Sequence, residues 1–199
     1  MKSAELSAIG PAEKTVRCIE IPDPGAPGAG EVLVDVVACS INPADILMIE
    51  GNYASRPTPP CAIGIEGAGT VAVVGEGVTH LKVGDKVMSL GRTNWTQRIR
   101  DKSATFVRLP KEVDLAQAAM LKVNVATAHL MLTQYVELKR GDWVIQNAAN
   151  SGVGPGHGGR LPISLVNSFD QFCRKRVRPI LYSIKYRPDP NGTYLRRRL

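Results

Sequence analysis

Short runs of apolar, often β-branched residues predict a series of short β-strands in the first half of the chain. The strongest signal is residues 31–38 (EVLVDVVA), which are β-branched and apolar on both faces, and residues 69–74 (GTVAVV) give a second. Weaker strand signals lie at residues 4–10, 86–90, 96–100 and 105–109. Several short strands at this spacing, separated by turns, predict a small β-barrel.

A short helix is predicted between the two strongest strands. Asn42 can cap its N-terminus, and Pro43 stands at the first helical position, where a missing N–H group does no harm. We expect this helix to run to Glu50 and to end at Gly51.

The hydrophobic period becomes helical after residue 114. Residues 115–121 and 124–138 predict two helices. One face of the second carries Ala128, Met131, Leu132 and Tyr135.

A buried strand at residues 142–147 (DWVIQN) then leads directly into a Gly-rich turn at residues 150–154 (NSGVG). Such a turn opens a doubly wound nucleotide domain, because its glycines let the backbone approach a pyrophosphate. Residues 155–162 (PGHGGRLP) contain three glycines and two prolines, which is a poor start for the helix that should follow.

The positive charge is concentrated at the C-terminal end. The 199 residues carry 25 Lys and Arg against 18 Asp and Glu, a formal charge of +7. Residues 1–154 hold 15 basic and 16 acidic residues, whereas residues 155–199 hold 10 basic and 2 acidic. Because most of the chain is neutral, we interpret the basic end as a solvated charge run and expect no nucleic acid as partner.

No segment predicts export or membrane insertion. The chain lacks a run of about 18 apolar residues, and its first 15 residues contain neither an apolar core nor an Arg-rich amphipathic stretch. The four cysteines form no closely spaced pair, which favours reduced thiols. We therefore expect a cytoplasmic protein that does not bind membranes.

Five motifs resemble the medium-chain dehydrogenase/reductase superfamily, and within it the zinc-independent trans-2-enoyl-CoA (enoyl thioester) reductases. They are INPADILMIEGNY (41–53), GIEGAGTVAVVGEGV (64–78), LKVGDKV (81–87), VNVATAHLML (123–132) and GDWVIQNAANSGVG (141–154).

The resemblance implies an α/β fold with two parts. Residues 1–122 would form a GroES-like β-barrel catalytic domain, and residues 123–154 would start an incomplete Rossmann-like nucleotide-binding domain. Residues 155–199 do not match the superfamily. We therefore expect a truncated chain whose divergent, basic C-terminal segment is poorly ordered.

The resemblance also implies an activity, the NADPH-dependent reduction of the 2,3 double bond of an enoyl thioester. Tyr53 matches the tyrosine of the family that stabilises the developing enolate oxygen or passes a proton. The alternative is a loop tyrosine that packs on a proline. Asn42 and Asp45 match positions that line the substrate cleft, and helix capping is their alternative role.

NADPH is assigned by the resemblance to two segments. Thr127 would meet the nicotinamide, unless its hydroxyl bonds back to the preceding helical turn. The pyrophosphate would lie on Asn150, Ser151, Gly152, Val153 and Gly154. Because the later strands of the nucleotide domain are missing, we expect NADPH affinity to be weak or absent.

No metal is expected. In zinc-dependent members a Cys ligand falls at position 42 and a His ligand at position 65, where this chain has Asn42 and Ile65. Neither side chain can replace a thiolate or an imidazole on zinc.

Two other functions stay open. A quinone oxidoreductase of the same superfamily would use the same fold and cofactor, and a non-catalytic fragment would result if the C-terminal segment does not complete the nucleotide domain. Intact relatives are expected to form homodimers.

Overall fold

The computed structural model describes residues 1–135, 137 and 153, together with four strands among the later residues. The chain divides into two compact units, Met1–Val123 and Asn124–Leu199. No helix within the described residues is long and apolar enough to cross a membrane.

The first unit contains two antiparallel sheets and three short helices. Its strands are β1 (Lys2–Leu6), β2 (Val16–Glu20), β3 (Glu31–Cys39), β4 (Cys61–Ala62), β5 (Gly67–Val74), β6 (Lys86–Ser89), β7 (Arg98–Lys102) and β8 (Phe106–Arg108). Its helices are α1 (Ala12–Thr15), α2 (Pro43–Ile49) and α3 (Leu115–Ala118), and a 3-10 turn covers Ser103–Thr105.

The larger sheet has the strand order β7-β3-β5-β6-β8, and each neighbouring pair is antiparallel. The register of β3 against β5 shifts between Leu33 and Val34 and again between Val36 and Ala38. Such irregularities increase the local twist and help a sheet to curl. A smaller sheet has the order β2-β1-β4. These curled antiparallel strands confirm the predicted barrel-type domain.

Apolar side chains from the larger sheet and its loops fill the inside of the barrel. Val32 and Val34 alternate along β3 and are fully or almost fully buried. We call this group the apolar cluster, and its buried members are Val32, Val34, Val71, Leu81, Val87, Ile99 and Phe106. A second group, Leu6, Ile49 and Ile63, packs the inner side of α2 against the smaller sheet.

The second unit contains one α-helix and short strands within the described residues. A π-helical turn covers Leu121–Val125 and runs into α4 (Ala126–Thr133). The strands are β9 (Trp143–Ile145), β10 (Asn167–Ser168), β11 (Ile184–Pro188) and β12 (Tyr194–Leu195). β9 pairs in parallel with β10 and antiparallel with β11.

The prediction of a helix over residues 124–138 is wrong about where the helix begins and ends. It begins as a π-helical turn, and α4 ends at Thr133. The Thr133 hydroxyl donates to the His129 carbonyl at 2.8 Å, a bond by which a threonine competes with regular helix geometry. Tyr135 lies beyond the helix and is 66% exposed, so it does not belong to an apolar helix face.

Candidate active site

Helix α2 has a fixed N-terminus. Asn42 is its N-cap, with Pro43 at the first helical position, as the sequence predicts. The Asn42 N–H donates to Asp45 Oδ2 at 2.8 Å, which is the reverse arm of a capping box.

The C-terminus of α2 is fixed as well. The Gly51 N–H donates to the Met48 carbonyl and the Asn52 N–H donates to the Leu47 carbonyl, the paired bonds of a Schellman motif. Gly51 has a φ of +76°, which a residue with a side chain adopts only with strain. The helix therefore stops at a defined residue.

Tyr53 follows this stop by two residues. It lies in a bend and is 37% exposed, so part of its side chain is open to solvent. The predicted catalytic phenol is thus carried by a loop whose starting point α2 fixes.

Asp45 is 1% exposed and holds two segments together. Besides the Asn42 N–H at Oδ2, its Oδ1 accepts a hydrogen bond from the Ile65 N–H at 3.0 Å. Burial raises the pKa of Asp45 above its ordinary value, and these two backbone N–H groups oppose that rise.

Glu66 is 1% exposed and accepts hydrogen bonds at both carboxylate oxygens. Its Oε1 accepts from the Ser40 hydroxyl at 2.6 Å and from Asn42 Nδ2 at 2.8 Å. Its Oε2 accepts from the Val123 N–H at 2.8 Å. The carboxylate therefore connects the segment before α2 with the last residue of the first unit.

Lys122 donates from Nζ to three backbone carbonyls, those of Ile65, Leu90 and Gly91, each at 2.7 Å. Burial lowers the pKa of Lys122, and the neighbouring Arg92 lowers it further, whereas Glu66 and Asp45 raise it. We call Ser40, Asn42, Asp45, Glu66 and Lys122 the polar cluster.

The structure brings two of the predicted site residues together and places the others elsewhere in the chain. Asn42 and Asp45 share the polar cluster, while Tyr53 lies in the loop after α2. Thr127 lies on α4 in the second unit and is exposed. Val153 lies in a turn. The remaining predicted cofactor residues, Asn150, Ser151, Gly152 and Gly154, lie outside the described residues.

The sequence predicts a structural role beside the cleft for Glu66, without chemistry, but it does not predict the roles of Ser40 and Lys122. Glu66 is the one charged residue in an apolar and Gly-rich run (GIEGAGTVAVV), and a lone acid in such a run is a usable signal for a buried, partnered carboxylate. Nothing comparable marks Ser40 or Lys122, since Glu66 lies 26 residues from Ser40 and the carbonyls bonded by Lys122 lie 31 to 57 residues away.

The described residues contain no group of three or more His, Cys, Asp or Glu side chains that could hold a metal ion. At the two positions of the zinc ligands, the Asn42 amide donates to Glu66 and to Ser40, and Ile65 is an apolar, 6% exposed side chain. This donor chemistry supports the expectation of no zinc, which stays a prediction.

Part of the chain is similar in sequence to known proteins. Residues 28–106 match the alcohol dehydrogenase GroES-like domain. The chain is 44% identical over 133 residues to the mitochondrial enoyl-[acyl-carrier-protein] reductase of Caenorhabditis elegans, a match that covers 66% of this chain and 38% of that protein. The chain therefore spans well under half the length of this curated relative.

Two solved structures show the same fold. The mitochondrial 2-enoyl thioester reductase heterodimer from Candida tropicalis superposes with a TM-score of 0.72 at 29% identity, over 84% of this chain and 52% of that one. Escherichia coli quinone oxidoreductase complexed with NADPH gives a TM-score of 0.69 at 28% identity, over 77% and 47%. Over its matched part the chain is therefore similar to the GroES-like domain and to enzymes of the medium-chain dehydrogenase/reductase superfamily.

Proposed function

We propose that the first unit is the substrate-binding part of an NADPH-dependent enoyl thioester reductase, with Tyr53 as its catalytic phenol. The observation that carries the proposal is the partly exposed Tyr53, which follows a helix fixed at both ends. The 44% identity to an enoyl-[acyl-carrier-protein] reductase favours this chemistry over others of the superfamily.

Reduction of the 2,3 double bond adds a hydride at the β-carbon and a proton at the α-carbon. Bound NADPH would supply the hydride. Negative charge then develops on the thioester oxygen, and the Tyr53 hydroxyl would donate a hydrogen bond to it or pass a proton to the α-carbon. Charge stabilisation of this kind is typically worth about 10²- to 10³-fold in kcat.

Asn42 and Asp45 have a narrower role in this proposal. Their side chains are almost fully buried and bond to neighbouring segments. Their placement at the substrate cleft stays a proposal based on the resemblance. Their contacts support a positioning role for α2, which sets the start of the Tyr53 loop.

The second unit supplies the residues proposed to hold NADPH. The described part fits a nucleotide domain in two respects. β9 has a parallel partner in β10, and the predicted loop 150–154 comes shortly after β9 in the sequence. Thr127 is exposed, so its side chain is accessible to a ligand. Thr127 and residues 150–154 would bind and orient the cofactor.

The first experiment is NADPH binding to the full 199-residue chain, followed by nicotinamide fluorescence, with Gly152→Asp as the control in the predicted loop. Saturable binding that the control abolishes supports the cofactor assignment. Absence of binding by folded wild-type chain contradicts it and makes the chain a non-catalytic fragment.

The second experiment tests Tyr53 with crotonyl thioester as substrate. We expect Tyr53→Phe to lower kcat about 10²-fold or more, with NADPH affinity unchanged, because only the enolate loses its partner. The same variant should keep the thermal stability of the wild type, since an exposed hydroxyl adds little to folding. An unchanged kcat would remove Tyr53 from the mechanism.

Quinone reduction is the second candidate function, favoured by the fold match to the Escherichia coli enzyme. Quinone reduction would be favoured if the chain reduces a naphthoquinone but not crotonyl thioester. The naphthoquinone rate should then be unchanged in Tyr53→Phe.

Location and assembly belong to the same proposal. We expect a cytoplasmic protein, although the Caenorhabditis elegans relative is named mitochondrial, and the homodimer is expected of intact relatives only. Cell fractionation tests the location, and light scattering tests the oligomeric state.

A further inference from the structure

The last two residues of the first unit are attached to the barrel by two charged side chains. The Val123 N–H donates to Glu66 Oε2, and Lys122 Nζ donates to the carbonyls of Ile65, Leu90 and Gly91. Four hydrogen bonds within 2.7–2.8 Å thus involve two consecutive residues. Each bond has one ionised partner, which makes it stronger than a neutral bond.

These bonds lie where the chain passes from the first unit to the second, since the division falls after Val123. The same segment is a π-helical turn, Leu121–Val125, a geometry that is rare and often found at functional sites. Thr127, proposed to meet the nicotinamide, follows Val123 by four residues.

Lys122 donates its ammonium protons to the protein, in contrast to a solvated lysine. A lysine in water keeps its ammonium group hydrated, whereas Lys122 gives all three ammonium protons to backbone carbonyls, although burial lowers its pKa. The carbonyls belong to two separate loops, before β5 and after β6. The lysine therefore joins those loops to the π-helical turn.

We infer that Glu66 and Lys122 are positioning residues that fix the exit of the chain from the barrel, and thereby the start of the segment that contacts NADPH. The effect on NADPH rests on the proposed function above. Neither side chain is assigned a contact with substrate or cofactor.

Lys122→Met tests the inference, because methionine keeps a similar apolar stem and removes the ammonium group. Lys86→Met is the matched control. Lys86 Nζ also donates to one backbone carbonyl, that of Val113 at 2.7 Å, but in a different part of the barrel. Glu66→Gln is the second variant, since a glutamine can still offer one oxygen to the Val123 N–H.

Two readouts are compared, hydrogen exchange of the backbone amides in residues 121–123 and the affinity for NADPH. We expect Lys122→Met to accelerate exchange in this segment about 10- to 100-fold, because it removes the three charge-assisted bonds of the ammonium group, with exchange in β3 unchanged. NADPH affinity should fall about tenfold, while the KM for crotonyl thioester stays the same. Glu66→Gln should show smaller changes in the same direction, and Lys86→Met should show neither.

Three outcomes overturn the inference. Exchange in residues 121–123 that is equal in Lys122→Met and Lys86→Met shows that the bonds do not fix the segment. Faster exchange with unchanged NADPH affinity shows a structural role only. Loss of protection throughout the barrel in both Lys122→Met and Glu66→Gln shows a general folding role. If the wild type does not bind NADPH, the proposed function fails, and the exchange readout alone decides whether the exit is fixed.

Discussion

The apolar cluster and the polar cluster hold the same domain together in different ways. The apolar cluster joins neighbouring strands through inward-facing side chains such as Val32 and Val34 on β3. The polar cluster joins segments 24 and 57 residues apart through hydrogen bonds to Glu66. Apolar packing tolerates small changes in geometry, whereas a buried carboxylate needs every partner in place. The first cluster shapes the barrel, and the second fixes the elements around Tyr53.

The largest effect is expected in the apolar cluster. Phe106→Ala removes a ring that is 3% exposed inside the barrel, and we expect a loss of about 3–5 kcal/mol in the free energy of unfolding. Guanidinium unfolding of the full chain measures it.

Val107→Ala on the same strand is the control for Phe106→Ala. Val107 is 38% exposed, so its truncation should cost under about 0.5 kcal/mol. Similar costs for the two variants would contradict the assignment of Phe106 to the inside of the barrel.

The difference between the clusters explains how far the sequence could predict the structure. Runs of apolar, β-branched residues located β3 and β5 because such runs favour a strand that is buried on both faces. Residues 31–38 lie entirely within the observed strand Glu31–Cys39. Local chemistry also located α2, since Asn42, Pro43 and Gly51 act within a few residues of one another.

Periodicity could not find the polar cluster in the same way. The bonds of Glu66 depend on the fold that brings Ser40 and Val123 to it, and no repeat along the chain records them. The end of α4 was missed for a related reason. An apolar pattern continues to Tyr135, but the helix ends at Thr133, where the threonine hydroxyl bonds to the backbone.

A smaller effect is expected for Asp45→Asn in the polar cluster. An asparagine turns its NH₂ group toward one of the two backbone N–H donors, those of Asn42 and Ile65, and leaves that donor unpaired. We expect a cost of about 1–3 kcal/mol at pH 4.

The cost of Asp45→Asn should depend on pH. Because burial raises the pKa of Asp45, the folded protein binds this proton more tightly than the unfolded chain does. The resulting stability is present below the ordinary aspartate range and is lost as pH rises through the raised folded value. The wild type should therefore lose stability relative to the variant between pH 4 and neutral pH, as urea unfolding at several pH values would show. A cost that grows with pH would contradict a raised pKa.

A further small effect is expected at Gly51, which belongs to neither cluster. Gly51 ends α2, the helix that contributes Ile49 to the buried group with Leu6 and Ile63 and contributes Asp45 to the polar cluster. A Cβ at Gly51 would lie 2.8 Å from Ile9 Cγ2, and a φ of +76° would strain any residue that carries one. We expect Gly51→Ala to cost about 1–2 kcal/mol, measured as a lower Tm.

Gly77→Ala separates backbone strain from the contact with Ile9. Gly77 has nearly the same φ, +77°, but a Cβ placed there would meet no atom within 4 Å. The fall in Tm should therefore be smaller for Gly77→Ala than for Gly51→Ala, because only the second variant crowds Ile9. Equal shifts would show that Ile9 moves aside and that backbone strain alone sets the end of α2. In that case the Tyr53 loop is anchored by the conformation of Gly51 rather than by packing.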